Sequence, residues 1–296
     1  MKILITGGNG FIGKALSTKL HSLGYTVTAI DKSTNKNKLP YRYISCDLTN
    51  NDITLEKEIG ECDIIFHLAS PVGIDRIDNE SDTFLNDMLK INLNVFNLVK
   101  KYDKKIYFSS TSEVYHNTNL ANERDNLTIG CPDKSRWGYA SGKLTSEFLC
   151  KSLCTNSTIL RFFNVTGFGD NKGVLFKMVN AIKNNKDISI YGTGDQCRTF
   201  CDIKDAVNFM LELITRDVYI GDIFNIGNEC NMITIKDLAD ICIDTTKSDV
   251  NILYKKYNEV FSDNYGDIIN RKPDCTKMNT IYTSKYNITD IIGSLL

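Results

Sequence analysis

A short apolar, β-branched run, Lys2–Thr6, opens the chain and leads without a spacer into Gly7-Gly8-Asn9-Gly10-Phe11-Ile12-Gly13. From Phe11 to Leu23 the apolar residues then recur at helical spacing. Three glycines at this spacing, between a strand and a helix, leave few folds open. Gly7 permits the tight turn, Gly10 lets a pyrophosphate approach the backbone, and Gly13 allows close helix–strand contact, with the phosphates on the positive end of the helix. The glycines alone are a weak signal. The strand before them, the amphipathic helix after them and a second strand, Tyr25–Ile30, followed by Asp31 together predict a nucleotide site rather than a structural turn. A carboxylate at Asp31 falls where an adenosine ribose is expected. It would accept hydrogen bonds from both ribose hydroxyls and repel a 2′-phosphate, which favours NAD over NADP, with Lys32 as a neighbouring cation that could soften the preference. Asn9, Phe11 and Ile12 belong to the same loop. Asp47-Leu48, after a third strand, is placed at the adenine edge, and Leu68-Ala69, after a fourth, where the cofactor passes. His67 reads as a polar residue leaving a buried strand.

The first half continues the alternation. Strands are expected at Tyr41–Cys46, Asp63–Leu68, Lys105–Ser109 and Ser157–Phe163, and helices at about Asp82–Lys101 and Trp137–Leu153. Strands alternating with helices of this length imply βαβ units, hence a parallel, doubly wound sheet of Rossmann type covered on both faces. After Phe168 the texture changes to helices (Val174–Lys183, Lys204–Ile214, Ile235–Thr245) separated by short strands (Ile188–Tyr191, Asp222–Ile226). The expectation is a dinucleotide-binding domain over residues 1–168 and a smaller α/β substrate-binding lobe over 169–296, with a soft boundary and segments free to interleave.

A net charge of −1 over 296 residues gives no basic field for nucleic acid or anionic lipid, so neither is an expected partner. No apolar run approaches the roughly 20 residues needed to span a bilayer, and the glycine loop breaks the N-terminal apolar run too early for a secretory signal. Ten scattered cysteines without a CxxC pair, and only three histidines, fit reduced thiols in a cytoplasmic protein better than disulfides or a metal site. No metal is assigned.

Tyr139 and Lys143 are one helical turn apart and share a face. Upstream, Ser109-Ser110-Thr111-Ser112-Glu113-Val114-Tyr115 closes a strand at the end where parallel sheets place their ligands. A hydroxyl, a tyrosine and a lysine are the groups needed to remove a proton from a sugar alcohol during hydride transfer. Free tyrosine is only about 0.1% ionised at pH 7, and bringing it into range takes about 3–4 kcal/mol of stabilisation of the anion. The expectation is that the Lys143 ammonium, with a cationic nicotinamide, supplies that field.

With these residues assembled, the chain resembles the extended short-chain dehydrogenase/reductases, in particular the nucleotide-sugar epimerases, dehydratases and decarboxylases. The resemblance runs nearly end to end, through Thr6–Gly13, Asp31, Asp47-Leu48, His67–Ser70, the Thr111 loop, Tyr139 with Lys143, Asn164, Tyr191–Gly194 with Arg198–Phe200, Phe224–Asn228 and Arg271–Asp274. It implies an NAD-dependent enzyme acting on a nucleotide-diphosphate sugar, UDP-linked for preference, through a transient 4-ketone. Tyr139 would be the base, Lys143 its partner and Thr111 the hydrogen-bond donor to the reacting hydroxyl. Thr111 and Ser112 would face the sugar, and Asn164, Arg198 and Arg271 would hold the diphosphate.

The run Thr111–Tyr115, and Arg136-Trp137 ahead of Tyr139, look more like dehydratases and UDP-glucuronate decarboxylases than simple 4-epimerases. In dehydratases a glutamate at the position of Glu113 removes the C5 proton; in decarboxylases it neighbours the sugar carboxylate. A solvated loop charge or a helix-start partner are the alternatives for Glu113. Departures from the family pattern include His116 where a glycine usually follows Val-Tyr, and Asn164–Gly169, which lacks the usual tyrosine and proline. A dehydratase or decarboxylase is therefore expected, with a 4-epimerase and a catalytically silent NAD-binding regulator as rivals. A homodimer is expected through the apolar residues of the Asp82–Lys101 helix (Phe84, Leu85, Met88, Ile91, Leu93, Val95, Phe96) and of the Trp137–Leu153 helix (Leu144, Phe148, Leu149, Leu153).

Overall fold

A computed structural model describes the chain except residues 36–37, 51, 73–80, 217–220 and 260–265. Its central sheet takes seven strands: β1 (Lys2–Thr6), β2 (Thr26–Asp31), β3 (Arg42–Ser45), β4 (Ile64–His67), β5 (Lys105–Thr111), β6 (Ser157–Phe162) and β7 (Ile223–Ile226). They lie in the order β7-β6-β5-β4-β1-β2-β3, and all neighbours are parallel. The chain runs outward from β1 to β3, then returns to β4 on the other side of β1 and runs outward again. The order therefore reverses between β1 and β4, which opens a crevice at the carboxyl ends of those strands.

Alternation along β1 sends its side chains to two cores. Ile3 and Ile5 join α1 (Phe11–Ser22) and the helix Ile203–Arg216 on one face, with Leu16, Leu20, Phe209 and Met210. Leu4 joins the other face, where α2 (Ile53–Glu61), α3 (Ser81–Tyr102) and α4 (Ser135–Leu153) bring Leu55, Val95, Phe96 and Cys150. Both faces of the sheet are covered, as the near-continuous apolar strands require.

A third core, with Leu175, Val179, Leu238 and Ile291, belongs to a smaller lobe built from Val174–Lys183, Ile235–Thr246, Ile288–Leu295 and the strand Ile188–Tyr191. The strand read at Asp222–Ile226 lies in the large sheet, as β7. Phe224 and Ile226 are fully buried there, and its parallel register on β6 covers what would otherwise be an open edge. The expected dimer-forming residues fare differently. Phe84, Met88, Val95 and Phe96 are buried within the protomer, where α3 packs on α4 and the sheet, whereas Leu85, Ile91 and Leu93 of the same helix stay half-buried. On α4, Phe148 remains 70% exposed. All ten cysteines are free thiols, and seven of them are buried. Among the described residues no helix is long and apolar enough to cross a membrane, and no His/Cys/Asp/Glu cluster could hold a metal ion.

Candidate active site

A cavity of about 900 Å³ follows the crevice between β1 and β4, from the glycine loop and Asp31 past Leu68-Ala69 to Thr111, Tyr139 and Arg271. It lies toward the top of the size range of single-ligand pockets. Its dinucleotide end is made largely of backbone. Gly7 has φ +72°, and a Cβ there would stand 2.7 Å from the Ala69 nitrogen. A Cβ on Gly13 would run into the Gly7 carbonyl oxygen, so α1 meets the loop only through glycine. Gly10 caps α1 without a side-chain hydrogen bond. Asp31 holds the loop in shape: one carboxylate oxygen accepts from the Asn9 amide (3.1 Å), the other from the Ser33 amide and hydroxyl (3.0 and 2.9 Å). Phe11 and Ile12 line the cavity. Exposed Asp47 lines it too and accepts from Thr49, and buried Leu48 lies beside it. These residues fit a dinucleotide: the bare helix end suits a pyrophosphate and the carboxylate at the tip of β2 suits a ribose.

The second end is carried by α4 and by the close of β5. Thr111 is the last residue of β5, and its hydroxyl accepts from the Glu113 amide (3.2 Å) to start the tight turn Ser112–Tyr115. Tyr139 lies beside Thr111. Lys143 is buried and donates to the Ser109 carbonyl (2.9 Å). Burial pushes Tyr139 up to about 12, with Glu113 adding to the rise, and the Thr111 hydroxyl and Arg271 only partly oppose it. Burial brings Lys143 itself down to about 7, against the opposing pull of Glu147.

Glu113 is neither a solvated loop charge nor a partner of a helix start. Its side chain is 13% exposed, and Arg136 grips it with two hydrogen bonds, Nε to Oε2 and Nη2 to Oε1, both 2.7 Å. Arg271 Nη1 lies 2.9 Å from Oε1. Arg136 also reaches Asp267 (3.0 Å), which in turn pairs with Arg198 (2.7 Å) and accepts from the Tyr257 hydroxyl. Burial raises the Glu113 carboxyl, but Arg271 and Arg136 together outweigh it and hold the group well below the ordinary glutamate range. Among the described residues this cluster sets three guanidinium cations against two carboxylates. Arg271 is the most strained charge of the cluster: it is only 3% exposed, its Nε has no hydrogen-bond partner among the described residues, and burial, Arg136 and Arg198 all work against its charge.

Asn164 lines the cavity, with its amide donating to the Thr199 carbonyl (2.9 Å), and Ser112 is a buried lining residue at the other end. Arg198 is not among the lining residues. Asp267 and the carbonyls of Cys197 and Ile268 hold its guanidinium. His116 takes φ +55°, the left-handed region that favours glycine, and its ring stacks on Trp137 with centroids 4.3 Å apart. Sequence reasoning missed the Arg136–Asp267–Tyr257 contacts altogether. Arg136 stands in a motif that was noted, but nothing in the sequence marks Asp267, more than 130 positions away, as its partner.

A family model described as the NAD dependent epimerase/dehydratase family matches residues 3–227. UDP-N-acetyl-alpha-D-glucosaminuronate decarboxylase of Bacillus cytotoxicus is 31% identical over 97% of this chain and 94% of its own length. Among solved structures, UDP-glucuronic acid 4-epimerase from Bacillus cereus, in complex with UDP-glucuronic acid and NAD, superposes with a TM-score of 0.87 at 23% identity, covering 99% of this chain and 97% of that one. TunA, an NAD-dependent NDP-hexosamine 5,6-dehydratase, superposes with a TM-score of 0.84 at 23% identity, over 99% and 96%. At these identities the two solved structures speak for the fold.

Proposed function

The chain belongs to the NAD dependent epimerase/dehydratase family, and from that membership we propose that it decarboxylates a nucleoside-diphosphate-linked uronic acid, UDP-linked for preference, through transient oxidation at C4. The observation that carries this reading is the Arg271 guanidinium, which lines the cavity beside Tyr139 and Glu113, is almost fully buried, and has no partner for its Nε among the described residues. A buried guanidinium short of hydrogen bonds calls for an anion, and a planar carboxylate matches its fork. Arg271 is thereby given the sugar carboxylate in place of the diphosphate.

NAD supplies the two-electron acceptor, the donor for any return step, and a cationic ring whose field lowers the phenol. Tyr139 takes the proton of the C4 hydroxyl while Thr111 holds that oxygen. Lys143, fixed on the Ser109 carbonyl, sits under the same face of α4. Once C4 is a ketone, the C6 carboxylate is β to it: the C5–C6 bond breaks, CO2 leaves, and the electron pair delocalises onto the C4 oxygen, where Tyr139 and Thr111 are placed to stabilise it. A proton then returns to C5. Glu113 keeps Arg136 and Arg271 oriented toward the carboxylate.

Dehydration is disfavoured because Glu113, held ionised by two arginines, is a weak base for a C5 proton. Incubation with UDP-, dTDP-, GDP- and CDP-sugars, with and without a C6 carboxylate, followed by mass spectrometry, tests the reading. Loss of CO2 from a uronate supports it; loss of water, or an unchanged mass with inverted C4, replaces it with dehydration or epimerisation. A second copy of the chain is the partner inferred at the α4 face that carries Phe148, and light scattering tests it. The cytoplasm is the inferred location, since seven buried free thiols suit a reducing compartment.

A further inference from the structure

His67 ends β4 with no exposure to solvent, between the rings of Phe96 and Phe108, and both of its ring nitrogens are engaged. Nδ1 lies 2.6 Å from the Thr6 hydroxyl, and Nε2 lies 2.9 Å from Asn92 Oδ1. The Asn92 amide nitrogen donates to Ser146 Oγ (2.6 Å), and the Ser146 hydroxyl donates to the Gly142 carbonyl (2.7 Å). At the opposite end the Ala69 amide donates to Thr6 Oγ1 (3.3 Å).

With Asn92 in this orientation the polarity is consistent throughout. Nε2 carries the ring proton and donates to the asparagine oxygen, Nδ1 is a bare acceptor, and the Thr6 hydroxyl donates to it. The reverse polarity would leave the Thr6 proton without an acceptor among these contacts. Burial, with the Lys143 charge nearby, holds the imidazole down to about 3, so it stays neutral across the ordinary pH range and adds no charge beside Lys143.

The chain of bonds starts where the nucleotide loop leaves β1, crosses β4 and α3, and ends on α4 at the carbonyl of Gly142, the residue before Lys143. Gly142 brings α3 and α4 into tight contact there, since a Cβ would stand 2.6 Å from Leu85 and 3.0 Å from the Met88 sulfur. The cofactor strand and the helix that carries Tyr139 are thus tied by side chains from four elements.

We propose that His67, with Asn92 and Ser146, is a positioning device that sets the Tyr139/Lys143 face of α4 at its working distance from the dinucleotide loop. It rests on the reading of Tyr139 and Lys143 given above, and acts through them without touching substrate. Misplacement of a reacting group by about 1 Å costs on the order of a hundredfold in rate, whereas mere packing loss lowers stability and leaves the rate of the folded fraction alone.

Ser146→Ala removes the final link and leaves the Asn92 amide without its acceptor; Ser146→Thr keeps the hydroxyl. In the NAD-bound protein with saturating UDP-linked uronate, Ser146→Ala should reduce NAD at least about tenfold more slowly, with NAD affinity within about threefold, and Ser146→Thr should recover most of the rate. Leu238→Ala, in the core of the smaller lobe, serves as a control with a comparable loss of thermal stability and an unchanged rate. A Ser146→Ala rate no lower than that of the control overturns the proposal. A second readout needs no substrate. The phenol of Tyr139, followed as the ultraviolet difference between each NAD-bound protein and its Tyr139→Phe counterpart, should titrate at a different pH in Ser146→Ala; an identical midpoint also overturns it. If wild type reduces no NAD with any nucleotide sugar, the functional reading fails, and the titration still decides the role of the bond chain.

Discussion

At the dinucleotide end of the cavity, the contacts come from backbone and from residues close in sequence: Asn9 to Asp31, Asp31 to Ser33, Gly13 against Gly7. At the sugar end they come from side chains far apart: Arg136 to Asp267, Arg198 to Asp267, Arg271 to Glu113. The first end offers shape and the partial charge of a helix terminus, which any chain with the right glycines can offer. The second offers full charges in a nearly dry cluster, where each group depends on the others. The cofactor end should therefore tolerate charge changes and fail on added volume. The sugar end should do the reverse.

The largest effect is expected where the two ends meet. Tyr139→Phe removes the phenol proposed to take the C4 hydroxyl proton and keeps the ring that packs near Phe84. Turnover should fall by about a thousandfold or more while bound NAD is retained, measured as product formation against NAD stoichiometry. A variant that keeps near-native kcat would mean that Tyr139 is not the base.

Next comes Glu113→Gln, which preserves shape and deletes the carboxylate held between Arg136 and Arg271. Stability should drop by about 3 kcal/mol at pH 7, since a buried partner is lost. Because the folded carboxyl titrates below its ordinary 4.5, its contribution is complete above that pH and declines as the pH falls through the region below it. Denaturant midpoints for wild type and variant should therefore converge in acid. With a UDP-linked uronate, the variant should still form NADH and then stall, with CO2 release about a hundredfold slower. If both steps stay within about twofold of wild type, the charge of Glu113 has no part in the reaction.

The two glycines separate volume from ligand contact. A Cβ on Gly13 strikes the Gly7 carbonyl, but on Gly10 its nearest neighbour is that same oxygen at 3.1 Å, a contact that a small shift relieves. Gly13→Ala should lose about 1–3 kcal/mol of stability along with NAD affinity. Gly10→Ala should melt within a few degrees of wild type, yet bind NAD about tenfold more weakly, because the ligand itself occupies the space. Parallel calorimetry and NAD titration distinguish the two. Equal melting temperatures for both variants would remove the steric argument at Gly13.

The same contrast explains what the sequence could tell. Strands, helices and the glycine loop are encoded by local periodicity and by φ requirements, so the parallel sheet and the order of its elements were legible. His116 was noted only as a departure from a usual glycine; its left-handed φ shows why a glycine would suit that position. Glu113 could be placed on the right loop, but whether it was solvated or paired depended on Arg136 and on Arg271, which lies 158 positions on and is carried by a separate short strand. No spacing rule reaches that far. His67 read as a polar residue leaving a buried strand, which is where it stands; its bond to Asn92 had no local signature. Seven apolar residues of α3 suggested an interface, and the protomer itself buries four of them, because amphipathic width alone does not say which neighbour covers it.

The smallest expected effect is the choice between NAD and NADP, and it bears on whether the cofactor end is indifferent to charge. Asp31 is half-buried at the rim of the cavity, and its two oxygens already accept from Asn9 and Ser33. A unit charge about 5 Å from a 2′-phosphate is opposed by about 0.8 kcal/mol in bulk water and by about 3 kcal/mol at an effective dielectric near 20. A rim position lies between these limits, so NAD(H) should bind about tenfold more tightly than NADP(H), near 1.4 kcal/mol. Asp31→Asn keeps the shape and loses the charge. The ratio should then fall toward one, and NAD should weaken only a few-fold, because the loop hydrogen bonds can still be made to the amide oxygen. Titration of both cofactors against both proteins measures this. If wild type already binds NAD and NADP equally, then Lys32, next in the chain and also lining the cavity, is neutralising Asp31 toward the phosphate. In that event a charge decides the behaviour of the cofactor end as well, and the division between a backbone-made end and a charge-made end would hold only for the pyrophosphate.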